Sequence, residues 1–331
     1  MTSILVLSAG GPAGVNFIKA LRLSGQGMGI YGADSNPYHL ILSEKYTIRS
    51  FKIPRYNEEG YIDEINKIVE KYKIDLVHAQ SDNEVLTISY NRDRIKAKTF
   101  LPPHTSINFC QDKWLTSTKW QHLWPDAHAN ILEDWDNLFL YLSDLIKLWG
   151  AIWVRATIGA GGRASSLCRE PEIAYHWLKY WWSRDPEMQF MVQKYLPGRN
   201  IAWQSVWRKG VLISSQARER VEYIYPNLAP SGITGTPTVQ RTLNEKKINE
   251  ASEIAVKLID KKPHGVYSVD LKENKNGVPV PTEINCGRFF TTSYFFAYAG
   301  QMFKIPRANM PYMYVLAGLI WKYLYGNQET F

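Results

Sequence analysis

In the first hundred residues of this chain, short continuous apolar runs alternate with longer stretches in which apolar residues recur at helical spacing. Ile4–Leu7 predicts a buried strand, and Val15, Ile18, Leu21 and Leu23 then fall on or near one helical face. Gly29-Ile-Tyr-Gly-Ala-Asp34 predicts a second strand, Ile62–Tyr72 an amphipathic helix, and Asp75-Leu-Val-His-Ala-Gln80 a further strand. This alternation predicts a doubly wound parallel sheet, because parallel neighbours must be joined by crossovers. Leu101-Pro-Pro-His-Thr105 ends the rhythm and marks a boundary.

Beyond the boundary the order changes. Gln111-Asp112-Lys113 opens a Trp-rich helical stretch, and an acidic helix follows from about Asp134 to Leu148. Trp153-Val-Arg155 predicts a strand, with the glycine-rich segment Gly159-Ala-Gly161-Gly162 close behind it. A strand that delivers a cation to such a loop suits a phosphate clamp, since a guanidinium and backbone N–H groups both reach oxyanions. The loop is not a P-loop, which needs GxxxxGK[ST]; a plain flexible hairpin is the alternative. Glu172–Trp182 predicts a helix, and Phe190–Leu196 a buried strand running into Pro197-Gly198. Ile201–Trp207 and Val211–Val221 predict two more strands, with Arg218 and Arg220 on one face of the second. The Gly/Pro-rich stretch 226–237 reads as a loop of the kind that covers a site. Glu245–Ile259 is an amphipathic helix, and Asn309–Tyr325 a closing one.

The sharpest local signal is Asn276-Gly277, flanked by alternating residues, which predicts a two-residue type I′ hairpin turn. With those residues as the turn, Lys275 pairs with Val278 and Asp270 falls opposite Glu283. Side chains alternate along a strand, so Asn285 shares that face while Val269, Leu271, Thr282 and Ile284 line the other. Like charges placed opposite each other are unfavourable unless something positive lies between them. Two carboxylates and an amide oxygen suit a hard cation such as Mg²⁺, which also ligates phosphate oxygens. The alternative is a solvated hairpin whose acids merely align.

Composition narrows the classes. A chain of 331 residues accommodates about two domains, and 45% apolar with 21% charged residues fits a folded protein. No run approaches the roughly 18 apolar residues of a membrane span. Met1–Ser8 lacks a basic n-region and runs into a glycine turn, so it reads as a first strand and not a signal peptide. The three cysteines, Cys110, Cys168 and Cys286, form no CxxC pair, which points to a reducing, cytoplasmic compartment. The seven histidines show no paired ligand spacing, and the tryptophans concentrated between Trp114 and Trp207 read as packing.

The formal charge of +8 is spread widely, with no recognition helix or aromatic RNA motif, so a polyanionic small molecule explains it as well as nucleic acid. Gly10-Gly11-x-x-Gly14, followed by Asp34, invites a dinucleotide reading, but the GxGxxG spacing is missing. A helix N-terminus at Gly14 still suits an anionic substrate group. Ser81-Asp82-Asn-Glu84 lies at the strand edge where open sheets bind ligands, or caps the next helix.

In this order, the parts resemble the ATP-grasp superfamily. They are a glycine turn, Lys113 after a boundary, Arg155 before a glycine loop, Tyr195-Leu196-x-Gly198 closing a strand, and the Asp270…Asn276-Gly277…Glu283-x-Asn285 hairpin. The resemblance covers nearly the whole chain and is nearest the branch of carbamoyl-phosphate synthase, biotin carboxylase and small carboxylate–amine ligases. It implies an α/β ATP-grasp fold preceded by a Rossmann-like parallel-sheet domain. Residues 1–108 would be that pre-domain, 109–192 the small, lid-bearing subdomain and 193–331 the large C-terminal subdomain.

Carried over by position, Lys113 and Arg155 would contact the ATP phosphates, with Gly159, Gly161 and Gly162 as the lid loop. Gln193, Lys194 and Leu196 would lie in the adenine hinge, and Asp270, Glu283 and Asn285 would carry one or two Mg²⁺ or Mn²⁺ ions. Arg218, Arg220 and Arg288 would serve the substrate carboxylate or the acyl phosphate. There are departures: Gln193 stands where Glu is frequent, and Cys286-Gly287 pushes Arg288 one residue beyond the usual Glu-x-Asn-x-Arg.

The implied activity joins a small-molecule carboxylate to an amine through an acyl phosphate, releasing ADP. Its alternatives are a small-molecule kinase or carbamoyl-phosphate-type phosphotransferase, or a nucleotide-binding relative without turnover. No nucleic-acid or membrane partner is expected, and a homodimer is left open.

Overall fold

The computed structural model describes residues 2–133, 135–159, 162, 164–228, 232–305 and 307–319. Its chain builds three sheets in succession. The first is parallel, in the order β3-β2-β1-β4-β5, from β1 (Ser3–Leu7), β2 (Gly29–Asp34), β3 (Arg49–Lys52), β4 (Leu76–Ala79) and β5 (Lys98–Thr99). Helices α1 (Pro12–Leu23), α2 (Pro37–Glu44), α3 (Tyr61–Tyr72) and α4 (Asp82–Tyr90) connect these strands. Every residue of β1 is buried, because both faces of the sheet are covered. Leu5 and Leu7 join the apolar cluster of Ile62, Ile65 and Val69 on α3, while Ile4 and Val6 join Phe17, Ile18 and Leu21 on α1.

The glycine turn after β1 serves close packing. Gly11 is the N-cap of α1 and Pro12 opens it, so the helix begins earlier than its apolar spacing implies. A Cβ on Gly14 would fall 2.1 Å from the Ser8 carbonyl oxygen. Asp34 accepts from the Gly10 and Asn36 backbone amides at 3.1 and 2.9 Å, which commits it to the turn. Helix α2 gave no clear sequence signal: Tyr38, Ile41 and Leu42 leave it exposed, so its apolar residues mark no buried stripe.

After α5 (His104–Gln111) and α6 (Lys113–Trp120) comes an antiparallel sheet in the order β6-β9-β7-β8. It comprises β6 (Ala129–Ile131), β7 (Ile152–Ala156), β8 (Ser165–Cys168) and β9 (Phe190–Lys194), with α7 (Leu138–Trp149) and α8 (Pro171–Arg184) against it. The helix expected from Asp134 starts only at Leu138, and Asp134 lies outside the described residues.

The third sheet is antiparallel, in the order β12-β11-β10-β13-β14. Its strands are β10 (Asn200–Arg208), β11 (Val211–Tyr223), β12 (Pro237–Leu243), β13 (Gly265–Glu273) and β14 (Pro279–Cys286). One face is apolar: Trp203, Val269, Leu271 and Ile284 pack with Ile248, Ala255 and Val256 of α9 (Lys246–Ile259). Each such fully buried Val, Leu or Ile contributes about 1.5–3 kcal/mol. Helices α10 (Ser293–Met302) and α11 (Met310–Leu319) follow, and the expected closing helix is described only through Leu319. Among the described residues no helix is long and apolar enough to cross a membrane, and the three cysteines are buried and free.

A charged strap holds the crossing from the second sheet to the third. A Cβ on Gly198 would lie 2.6 Å from that of Glu273, so only glycine lets the chain pass so close. Next to it Arg199 donates to both oxygens of Glu273 at 2.7 Å and to Glu245 at 2.7 and 2.9 Å. These bonds hold the Glu273 carboxyl down at about 2. Below its ordinary 4.5 the unfolded chain binds this proton while the folded chain does not, so stability falls as pH drops from there through about 2. Glu273→Gln should flatten that part of the acid-unfolding curve; an unchanged slope would show that the strap contributes nothing.

Candidate active site

The hairpin of β13 and β14 sets the site. Its turn is not the expected two-residue type I′. The Asn274 amide donates to the Val278 carbonyl at 3.0 Å and the Gly277 amide to the Asn274 carbonyl at 3.0 Å, enclosing a three-residue loop. Gly277 has φ +72°, the left-handed position this loop requires. Lys275 therefore does not pair with Val278. The register recovers at a bulge: Leu271 pairs with Pro281, but Asp270 pairs with Glu283 and Ser268 with Asn285, leaving Thr282 as the extra residue. Edge position and bulge also accommodate Pro279 and Pro281. Asp270, Glu283 and Asn285 thus share the face opposite Val269, Leu271 and Ile284. The freed Thr282 carbonyl accepts from the Arg155 guanidinium at 2.6 Å.

That face forms one wall of a cleft of about 380 Å³, a volume suited to a small ligand. Arg155 on β7 is buried; besides Thr282 it donates to Gln193 Oε1 at 2.8 Å and lies 3.9 Å from Glu283. Gln193 on β9 donates from Nε2 to the Ala127 carbonyl at 3.1 Å and to Ser117 Oγ at 3.3 Å. A glutamate could not make those donations, which accounts for an amide here. Lys113, first residue of α6, is buried and donates to the Gly159 carbonyl at 2.6 Å; burial pulls its ammonium below the ordinary lysine range.

The two loops that sequence assigned to covering the site meet each other. A Cβ on Gly162 would lie 3.1 Å from the Ile233 carbonyl oxygen, and Gly159, Gly162 and 233–236 all line the cleft. Gly161 lies outside the described residues.

Arg218 and Arg220 reach the same cleft from β11. Arg220 donates to Asp270 at 2.7 Å. Burial, and then Glu283 across the ladder, push the Asp270 carboxyl above its ordinary range although Arg220 opposes them. Arg288 grips Asp82 at the start of α4 with two guanidinium nitrogens, the longer bond 2.9 Å, and donates to Asn285 Oδ1 at 3.0 Å. Asp82 is thus tied to the hairpin, while Ser81 is the helix cap.

No family model and no curated protein matches the sequence. Solved structures do match the fold. The biotin carboxylase domain of Hydrogenobacter thermophilus 2-oxoglutarate carboxylase, solved with MgADP, ADP and bicarbonate, aligns at TM-score 0.66 and 13% identity, covering 94% of this chain and 69% of that one. Staphylococcus aureus N5-carboxyaminoimidazole synthetase with ADP gives 0.65 and 13%, covering 96% and 77%. Bacillus anthracis D-alanine–D-alanine ligase gives 0.62 and 14%, covering 98% and 100%. The chain has the ATP-grasp fold.

Within this ATP-grasp fold the cleft collects Lys113, Arg155, Gly159, Gly162, Gln193, Lys194, Leu196, Arg218, Arg220, Asp270, Glu283, Asn285 and Arg288 from segments far apart in sequence. Lys194 turns its ammonium to Asp126 at 2.9 Å. Sequence reasoning named Tyr195 only as part of a motif and missed Asn200 and Lys272, all three of which line the cleft. Lys272 stands two residues beyond Asp270 on the same strand face, a spacing that could have flagged it. Its ammonium donates to the Gly198 carbonyl and Asn200 Oδ1 at 3.1 and 3.0 Å, and burial lowers it to about 8. The place of Asn200 was not legible, because it depends on the pairing of β10 with β13.

The hairpin's donors fit a divalent cation. All are hard oxygens, the two carboxylates face each other, and among the described residues the nearest cation to Glu283 is Arg155, a long 3.9 Å away. Among the described residues no three His, Cys, Asp or Glu side chains converge, since the third member here is an amide.

Proposed function

We propose that this chain is an ATP- and Mg²⁺-dependent ligase that joins a carboxylate to an amine through an acyl phosphate, releasing ADP and phosphate. The observation that supports this best is the convergence of Asp270, Glu283 and Asn285 with Arg155, Lys113 and the glycine loop in one cleft. The named ligases and the ADP-bound structures among its fold neighbours agree with that reading.

In this reading Lys113 and Arg155 bind the phosphates, and residues 193–196 hold the adenine through backbone groups. Asp270, Glu283 and Asn285 would hold Mg²⁺, which would supply charge neutralisation for the transferred phosphoryl group. A substrate carboxylate oxygen attacks the γ-phosphorus as the bond to ADP breaks; the neutral amine nitrogen then attacks the acyl carbon, the acyl C–O bond breaks to release phosphate, and the nitrogen's proton passes to the departing phosphate or to water. Arg288, clamped by Asp82, offers its guanidinium to the charge that develops. The glycine loop and residues 226–237 keep water from the acyl phosphate.

The test is ADP release with Mg²⁺ over a broad panel of carboxylate–amine pairs, read together with product mass. A coupled product is expected. A phosphorylated carboxylate released without coupling would instead make the protein a kinase, and no ADP above background with any pair would end the ligase reading.

A further inference from the structure

We propose that Arg218 and the first turn of α10 form a subsite for a carboxylate that is not activated, so that one of the two substrates carries a second acid group. The proposal rests on the ligase reading and narrows its substrate class.

Arg218 is 4% exposed and lines the cleft. Its Nε is buried without a hydrogen-bond partner among the described residues. The guanidinium lies over the Phe296 ring, 3.9 Å from its centroid, with Phe290 at 5.4 Å. The nearby carboxylate is already engaged, because Asp270 accepts from Arg220. Arginine cannot escape by losing its proton, so a buried guanidinium without an anion is costly. Burial and the adjacent Arg220 both oppose its charge, and Asp270, already engaged by Arg220, offsets them only in part.

The polar atoms around it lack partners as well. Thr292, N-cap of the ten-residue α10, makes no side-chain capping bond, and its hydroxyl and that of Ser293 are buried and unpartnered among the described residues. Thr292 lines the cleft, and Phe296 in the first turns of α10 lies beneath Arg218, so helix end and guanidinium are neighbours. Gln216, on the same strand face as Arg218, is buried with both amide atoms unpartnered among the described residues. Buried polar groups in folded proteins are normally paired, so a cluster like this implies a ligand that pairs them. The guanidinium carries one positive charge and a helix N-terminus adds about half of one, so the subsite attracts an anion. The guanidinium fork also suits two-point binding of a carboxylate.

The experiment titrates the full chain, with Mg²⁺ and ADP present, against amino acids paired with their decarboxylated amines, and short dicarboxylates paired with the matching monocarboxylates. At least one acid should bind about tenfold or more tightly than its counterpart. The arm in which this happens identifies the amine or the carboxylate as the acidic substrate. Arg218→Met should abolish the preference while the Kd for MgATP stays within about twofold. Arg218→Lys, which keeps the charge without the fork, should weaken it and covers the case in which the methionine variant does not fold. A preference that survives in a folded variant, or no preference anywhere in the panel, overturns the subsite. Tight acid binding without ADP release would instead overturn the ligase reading alone.

Discussion

Glu283→Gln is expected to lower the rate of ADP formation by about a thousandfold at saturating ATP, with little change in stability. Glu283 is the better probe of the hairpin, because its side chain is 27% exposed and its ion pair with Arg155 is 3.9 Å long. Glutamine keeps the shape but removes the charge that would hold Mg²⁺. Asp270→Asn would confound two effects, since Asp270 also neutralises the buried Arg220. The measurement is a coupled ADP assay over a Mg²⁺ titration, with thermal unfolding in parallel. A Glu283→Gln protein that turns over at the wild-type rate would show that the hairpin does not hold the metal.

Arg220→Met should carry the largest stability cost, about 3–5 kcal/mol, because it strands the Asp270 carboxylate in a buried place beside Glu283. The pH dependence has a defined sign. Asp270 already binds its proton more tightly in the folded chain than in the unfolded one, since burial and Glu283 outweigh Arg220. The folded state therefore holds more protons above the ordinary aspartate value, and this group's contribution to stability falls as pH rises through the raised value. Loss of the guanidinium should enlarge that fall. Mg²⁺ should then restore more stability to the variant than to the wild type, because the cation takes over the neutralisation of Asp270. Melting curves with and without Mg²⁺ on both sides of neutrality would decide the matter; equal Mg²⁺ responses in the two proteins would remove Asp270 from the metal site.

The hairpin illustrates how a local pattern can reach the right face by a wrong route. Asn276-Gly277 predicted a tighter turn than the chain adopts, and the bulge at Thr282 restores the pairing of Asp270 with Glu283. The bulge is not decorative, since it frees the carbonyl that Arg155 binds across the cleft. Tertiary demand reshaped the turn, and the alternation of side chains beyond the bulge preserved the chemistry.

Features governed by neighbours in the chain were legible in the sequence: the alternating strands and helices of the first hundred residues, the apolar face of α9, the glycine loop after Arg155, and the common face of Glu283 and Asn285. Backbone sterics and the two- and 3.6-residue periods of side chains determine these over short spans. Only the folded molecule decided that Arg220 neutralises Asp270, that Asp82 holds Arg288 from 206 residues away, that Gln193 braces Arg155, and that the Arg218 Nε has no hydrogen-bond partner among the described residues. Those contacts join segments with no common local period. They exist because packing the two antiparallel sheets around one cleft, with the parallel-sheet domain beside it, brings distant polar groups into a buried space, where each must find a partner or await a ligand.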